Sequence, residues 1–444
     1  MGVKLGDETR GYTRFRALSS LLAQEGFEVE LITSSFQHWD KAHRDTSREC
    51  YRNLPYRIVF IDEPGYERNL DLARIRSHAR AAKNLRAHFE RCFASPDTAY
   101  DLIYFEIPPN DVARVCAEAA HTAGVPCIAD INDLWPEAMR MVVNVPLVSD
   151  IVFYPFARDA KRVYDLIDAA VGTSDEYAAR PSADRDRPYD RLTVYVGNNL
   201  SDFDRGARER AGDVTKPAGE VWATYAGTLG ASYDLATLVR AAALYDEARH
   251  GESGHGGPAA DGALEGDVPA ADGAHGHSGP AEPAAPALRV KILGDGPDRA
   301  KLQELAAALD APVDFIGYAP YDLMAAYLCA SDIVVNSLVK SAPQSIVTKI
   351  GDYFASGNPT LNTGSSLEFR ALIESEDVGV NVEAEDPAAL ARALADLACN
   401  PPARTRQGNR ARTVAEERFD QARSYRAIVN LIRSLLDGPA RTLY

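Results

Sequence analysis

Ser341-Ala-Pro-Gln-Ser-Ile-Val-Thr-Lys-Ile-Gly-Asp-Tyr-Phe-Ala-Ser-Gly357 is the stretch from which the rest of this chain can be read. It follows an apolar run of strand character, Ile333-Val-Val-Asn-Ser-Leu338, and its pattern predicts a helix with Ser341 as cap and Pro343 in the first turn. A strand that passes through a short polar loop into a helix presents free backbone N–H groups and the positive end of the helix dipole, which together bind anions, most often phosphate. On a helix advancing about 100° per residue, Gln344, Lys349 and Asp352 fall within roughly 140° of one another. One face then offers an amide, a cation and a carboxylate, groups suited to a sugar hydroxyl, a phosphate and a ribose diol. In chemical terms the stretch reads as a cradle for a nucleotide sugar.

Upstream of it the same strand-then-helix rhythm recurs. Trp222-Ala-Thr-Tyr-Ala226 reads as a strand, followed by a loop over 227–232 and a helix from about Asp234; Leu288–Leu293 is the next strand and ends in Gly294-Asp-Gly-Pro297. Val313–Ile316, Ile333–Val335 and Asn358–Asn362 follow. The N-terminal part shows its own alternation, with a helical stretch Thr13–Gly26 and strands at Glu28–Thr33, Tyr56–Ile61, Asp101–Phe105, Pro126–Ile131, Ala169–Thr173 and Leu192–Val196. Strands separated by helices predict parallel, doubly wound sheets, and 444 residues is the length of two such domains. Residues 1–204 form the first unit and 220–418 the second. The stretch 205–219, dense in Arg, Asp, Glu and Gly, reads as a hinge. Between 250 and 287 the composition falls to Gly, Ala, Pro, Asp, Glu and His, too poor in large apolar side chains for a core, so this segment is expected to be a disordered surface insertion. Its histidines, irregularly spaced and without cysteine, read as solvated loop in preference to a metal tract.

The formal charge of −16 argues against a general nucleic-acid binder. Six cysteines are scattered singly, with no Cys-x-x-Cys pair, and read as small buried hydrophobes of a reducing compartment. Neither a signal peptide nor a run of about 20 apolar residues is visible, and the expected location is cytoplasmic. Against the acidic background, residues 67–91 carry seven Lys or Arg and three acids. They read either as a solvated helix face or as a surface for anionic headgroups at the inner face of the cell membrane.

The chain resembles the retaining glycosyltransferases of family 4, of GT-B fold. In the C-terminal half the resemblance rests on Tyr225-Ala-Gly-Thr-Leu-Gly230, Lys291-Ile-Leu-Gly-Asp-Gly-Pro297, Phe315-Ile-Gly317 and Gln344-x7-Asp352 with Tyr353-Phe-Ala-Ser-Gly-Asn-Pro359 after it. In the N-terminal half it rests on Asp130-Ile-Asn-Asp-Leu-Trp-Pro-Glu137, similar to the bacterial branch that builds capsule, O-antigen and exopolysaccharide units. The resemblance implies two Rossmann-like domains facing a cleft, with a C-terminal helix (419–444) crossing back to the first. It implies a nucleotide-sugar donor, a UDP-sugar by preference, a polyprenyl-linked or saccharide acceptor, no metal and no separate cofactor. Attack by the acceptor hydroxyl comes on the face the diphosphate leaves, and the leaving phosphate takes the proton.

Carried onto this sequence, Lys349, Gln344 and Asp133 are the catalytic candidates. Gly6, Gly227, Thr228, Asp295, Gly317, Tyr318, Pro343, Ser345, Ile346 and Asp352 are expected on the donor, and Glu106, Trp135 and Glu137 on the acceptor side. Four of these have plainer readings: Asp133 and Asp295 as helix caps, and Gly317 and Tyr318, within Phe315-Ile-Gly-Tyr318, as turn chemistry. The sequence departs from the family where it usually has Glu-x7-Glu, holding Gln344 and Asp352, and where a basic pair is replaced by Thr228 and Tyr233. Asn132 stands at a common histidine position. At the start, Met1-Gly-Val-Lys-Leu-Gly-Asp-Glu-Thr-Arg-Gly11 resembles the family's glycine-rich loop without the buried strand before it, and a late start or truncation is the reading. A UDP-sugar 2-epimerase of the same fold and a catalytically silent relative are the alternatives.

Overall fold

The computed structural model describes residues 3–6, 8, 13–68, 71–137, 148–185, 187–252, 285–342 and 346–438. In the C-terminal part, β9 (Glu220–Ala226), β10 (Ala287–Leu293), β11 (Val313–Gly317), β12 (Ile333–Asn336), β13 (Thr360–Asn362) and β14 (Gly379–Asn381) form one parallel sheet in the order β11-β10-β9-β12-β13-β14. The central strand β9 is buried from Val221 to Ala226, as a parallel strand covered on both faces must be. One core packs Leu235, Leu238, Val239, Leu390 and Leu394 against the sheet, and another packs Phe354, Phe369 and Val414 against its other face. Helix starts follow local rules: Asp386 and Asn400 each cap a helix whose first residue is proline.

The N-terminal part uses the same rhythm but is divided. β1 (Glu30–Ser34) pairs in parallel with β4 (Arg57–Ile61), while β5 (Ile103–Ile107), β6 (Cys127–Ile131), β7 (Ala169–Gly172) and β8 (Asp190–Thr193) form a separate parallel sheet. A short hairpin, β2 (Phe36–Gln37) with β3 (Ala42–His43), follows β1. Between β1 and β5 lies a cavity of about 1130 Å³, lined by residues 28–34 and 101–106, by Phe15, Leu18 and Leu22 of helix Arg14–Gln24, and by Val3. The Arg44 guanidinium donates to the carbonyls of Ser34 (2.6 Å) and Val3 (2.8 Å), so Val3 stands level with the carboxyl end of β1.

The connection between the units differs from the expected hinge over 205–219. Residues Leu200–Glu209 are helical, capped by Asn199, and belong to the C-terminal unit: Phe203 is fully buried and its ring lies 6.3 Å from that of Tyr321. At Gly206 a Cβ would stand 2.7 Å from the Asp322 backbone, so the two helices meet at contact distance. The crossing itself is at 196–199, zipped to the returning chain by Asn198 N–H to Phe419 O and Gln421 N–H to Asn198 O, 2.9 Å each. From there helix Arg426–Leu436 packs Ile428, Val429 and Ile432 onto the N-terminal sheet, as expected. Arg14, buried, ties this region together by donating to Asp130 (2.8 Å) and to the Val194 carbonyl (3.0 Å).

Candidate functional site

The carboxyl ends of the two sheets meet: Glu368, after β13, accepts hydrogen bonds from the N–H groups of Asp175 (2.9 Å) and Glu176 (3.1 Å), after β7. Ligand crevices of such sheets lie at these ends. On the C-terminal side, the loop after β9 carries Gly227 at φ 153, with its N–H donating to Leu293 O at 2.9 Å. A Cβ there would stand 2.7 Å from the Lys349 Nζ, and the backbone conformation favours glycine, so the loop lies directly on the lysine. Thr228 accepts from the Tyr225 hydroxyl through its carbonyl (2.7 Å), and the Tyr353 hydroxyl donates to Ala226 O (3.2 Å), which fixes the loop from both sides.

Lys349 is the unusual member. Its Nζ lies 4.0 Å from the Tyr225 ring centre and 4.1 Å from that of Tyr233. It is buried and finds no hydrogen-bond acceptor among the described residues. Burial pushes its pKa well below the usual lysine value. Two ring faces supply attraction of about 0.5–2 kcal/mol each but no lone pair for the N–H groups. An anion laid along the Gly227 loop would meet a preplaced amine in a site of low polarity and would favour its charged form.

The expected helix from Pro343 is corrected. The described helix is Ile350–Ala355, six residues long; Ile346–Lys349 are not helical, with Thr348 and Lys349 in a turn that Ile350 N–H to Val347 O closes at 3.1 Å. Lys349 reaches its pocket from the turn, where the buried tyrosines draw it in, and no helix dipole is invoked. Ile346 is half-buried on the same turn. Pro343, Gln344 and Ser345 lie outside the described residues. Asp352 is placed otherwise than a free ribose acceptor: its Oδ1 accepts from Asn198 Nδ2 and from the Tyr321 hydroxyl, 2.7 Å each. Burial raises its carboxyl to about 6 against the pull of those two hydrogen bonds.

Of the other donor-side candidates, Asp295 turns back on its own loop, accepting from Gly296 N–H at 2.8 Å and taking Leu229 N–H on its carbonyl at 3.0 Å. It does not cap a helix, since the helix begins at Arg299 after Asp298. Gly317 has φ 86, with the Arg299 guanidinium 3.1 Å from where a Cβ would be, and Tyr318 beside it is 74% exposed. Gly6 sits in the N-terminal unit at φ 52, against Cys50 and Tyr51.

On the N-terminal side, Asp133 is half-buried and accepts from Leu134 N–H (2.9 Å) and Trp135 Nε1 (3.1 Å). Burial raises its pKa. Glu137 is held by Arg180 at 2.6 Å. Glu106 lies within β5, one turn of the pleat deeper than expected, and lines the cavity. Among the described residues no group of His, Cys, Asp and Glu has the arrangement of a metal site. Sequence reading missed Tyr225 and Tyr233 as the walls of the lysine pocket, and Asn198 and Tyr321 as partners of Asp352. Only their aromatic or amide character was visible in advance.

Residues 281–400 match the family described as glycosyl transferases group 1. No curated protein matches. Among solved structures, sucrose-phosphate synthase from Thermosynechococcus elongatus is similar at 17% identity and TM-score 0.66, over 98% of this chain and 96% of its own. HepE from Anabaena in complex with UDP follows at 13% identity and TM-score 0.64, over 97% and 98%. WaaG, a glycosyltransferase involved in lipopolysaccharide biosynthesis, is similar at 11% identity and TM-score 0.57, over 99% and 98%. At these identities the likeness establishes the fold, which is GT-B over nearly the whole chain.

Proposed function

We propose that this protein is a glycosyltransferase that takes a sugar from a UDP-sugar and transfers it, with retention, to a lipid-linked or saccharide acceptor in surface polysaccharide synthesis. The observation that carries the reading is the buried Lys349 ammonium beneath Gly227, an anion-seeking group on the wall where a nucleotide diphosphate would lie. The match of residues 281–400 to glycosyl transferases group 1 supports it, as does a structural neighbour, HepE, in complex with UDP.

Lys349 would take up the negative charge that develops on the departing diphosphate, where a preorganised donor in a water-poor site is worth most. The Gly227 loop brings backbone close to the phosphates. Tyr318, exposed beside the β11 carboxyl end, offers a ring to the base. Asp352 would act on the ribose after exchanging Tyr321 or Asn198 for a hydroxyl, and Gln344 would bind the donor sugar. Asp133, its pKa raised by burial, would orient the acceptor hydroxyl together with Trp135. The scheme uses no metal ion.

The basic run supports contact with an anionic bilayer surface: on helix Leu72–Cys92, Arg76, Arg80 and Lys83 are exposed, as are the apolar Leu72 and Ile75. No helix among the described residues is long and apolar enough to cross a membrane. The proposed location, resting on the basic run, is the cytoplasmic face.

Calorimetry with UDP, GDP, ADP and their common sugars tests the reading. Selective binding of one nucleotide sugar, weakened about 100-fold or more by Lys349→Ala, is the expected result for a charge-assisted contact of ~3 kcal/mol. Binding without transfer to any acceptor would favour a catalytically silent relative, and acceptor-free conversion of the sugar would favour an epimerase.

A further inference from the structure

The chain crosses between its two units at 196–199, and the crossing is held from two directions. Toward the returning segment, the backbone of Asn198 exchanges hydrogen bonds with Phe419 and Gln421. The Tyr425 hydroxyl donates to Val196 O at 2.6 Å, and Gln421 Nε2 donates to the same carbonyl at 3.2 Å. Gly197 stands at φ 62, where a Cβ would lie 2.0 Å from Phe419 O, so the two segments run as close as bare backbone permits. Toward the C-terminal unit, the crossing lies on helix Ile350–Ala355: a Cβ on Gly351 would be 3.3 Å from Gly197 Cα. A side-chain bond spans that contact, from Asn198 Nδ2 to Asp352 Oδ1 at 2.7 Å.

Asp352 stands three residues beyond Lys349 and is the carboxylate assigned above to the donor ribose. Its Oδ1 already accepts twice, from Asn198 and from the Tyr321 hydroxyl, 2.7 Å each, which fills both lone pairs of that oxygen. Asp352 is half-buried and Tyr321 is 43% exposed, so a ligand reaches the carboxylate from solvent. A vicinal diol brings two hydroxyl donors, which a carboxylate receives one on each oxygen. The hydroxyl directed at Oδ1 must displace one of the two donors present. The geometry favours loss of Asn198. Its own Oδ1 is buried and finds no partner among the described residues, an arrangement that costs free energy for as long as the amide is held. Tyr321 is kept in place by packing, its ring 6.3 Å from that of Phe203.

We propose that the Asn198–Asp352 bond is a latch on the crossing between the two units, and that donor binding opens it. The ribose diol displaces the Asn198 amide from Asp352, and the crossing is freed from the helix that carries the site. This rests on the reading of the C-terminal site as a nucleotide-sugar site, and couples occupancy of that site to the mobility of the crossing. Such coupling is reciprocal, so whatever removes the latch must strengthen donor binding.

The test is calorimetric titration of the full chain with UDP and with 2′,3′-dideoxyuridine 5′-diphosphate, on the wild type, Asn198→Ala and Tyr321→Phe. Amide hydrogen exchange over 194–200 and 417–424 is followed in parallel. Asn198→Ala is expected to bind UDP about three- to ten-fold tighter than the wild type, the range of one competing hydrogen bond. The dideoxy nucleotide, which lacks both hydroxyls, should gain nothing from the substitution. UDP should speed exchange of the Asn198 and Gln421 amides in the wild type to the rate of unliganded Asn198→Ala, and the dideoxy nucleotide should not. Tyr321→Phe, which frees the same oxygen without touching the crossing, should leave exchange of the unliganded crossing at the wild-type rate. UDP binding that Asn198→Ala leaves unchanged or weakens, or crossing amides whose exchange UDP slows or leaves alone, overturns the proposal. Failure of UDP to bind the wild type would overturn the donor reading, and opening by ribose with it. Unliganded Asn198→Ala exchanging at the wild-type rate would overturn the latch itself. Should Asn198→Ala lose its fold by circular dichroism, Asn198→Ser replaces it with the same expectations.

Discussion

The two sheets of this molecule obey one plan and differ at one place. In the C-terminal unit β9 occupies the centre, hydrogen-bonded to β10 on one side and β12 on the other. In the N-terminal unit the corresponding position, between β1 and β5, is a cavity of about 1130 Å³. Among the described residues, the complete sheet carries an unmatched basic group, Lys349, and the divided one unmatched strand edges. The contrast separates two kinds of incompleteness. A buried amine that finds no acceptor among the described residues calls for a ligand, whereas two parallel strand edges facing across a cavity call for backbone.

The largest effect should come from filling that space. A five- or six-residue β-branched segment fused ahead of Val3 would run from the level of Ser34 back along β1, at about 3.3 Å per residue. Burying five apolar side chains, less the entropy of ordering them, leaves a gain of about 4 kcal/mol, or roughly 8–16 °C in Tm by differential scanning calorimetry. An unchanged Tm would mean that the sheets do not accept a central strand, and the comparison would break.

Asp352 sharpens the comparison from the other side. Its folded carboxyl titrates near 6, against 3.8 as the ordinary value. Between these pH values the folded protein holds a proton that the unfolded chain has released, so this group's contribution to stability falls as pH rises from about 4 to 6. Asp352→Asn should remove that slope, worth up to ~3 kcal/mol. Urea denaturation at pH 4, 5 and 6 measures it, and parallel pH profiles for the two proteins would contradict the buried placement.

A smaller change is expected from Lys349→Met. Removing a buried amine that finds no acceptor among the described residues should stabilise the unliganded protein by about 1–2 kcal/mol while destroying the proposed function. Least of all, Glu137→Gln should cost under about 1 kcal/mol, because the Arg180–Glu137 pair is partly exposed.

How much of this was legible in the sequence follows from how local each signal is. Val221–Ala226 and Ile333–Asn336 are near-continuous apolar runs and declare buried parallel strands by themselves. The returning helix Arg426–Leu436 also shows its periodicity. The helix expected at Pro343 failed because capping residues mark where a helix can start, while the tyrosine pocket holds Lys349 in a turn and delays the helix to Ile350. Lys349 was legible as a cation, but its walls come from strand β9 and the loop beyond it, and no local pattern links them. Asp352 was legible as a carboxylate; its partners Asn198 and Tyr321 are set by the chain crossing and a distant helix. The helical Leu200–Glu209 was obscured by charge, since only Phe203 and Leu200 on one face reveal what it packs on.

The most direct test is proton-linked calorimetry of UDP binding across a series of pH values, from neutral into the ordinary lysine range, in buffers of different ionisation enthalpy. If Lys349 meets the diphosphate, its depressed pKa must rise on binding, so the complex should take up a fraction of a proton that Lys349→Met abolishes along with most of the affinity. UDP binding of equal strength and without proton uptake in both proteins would contradict the account.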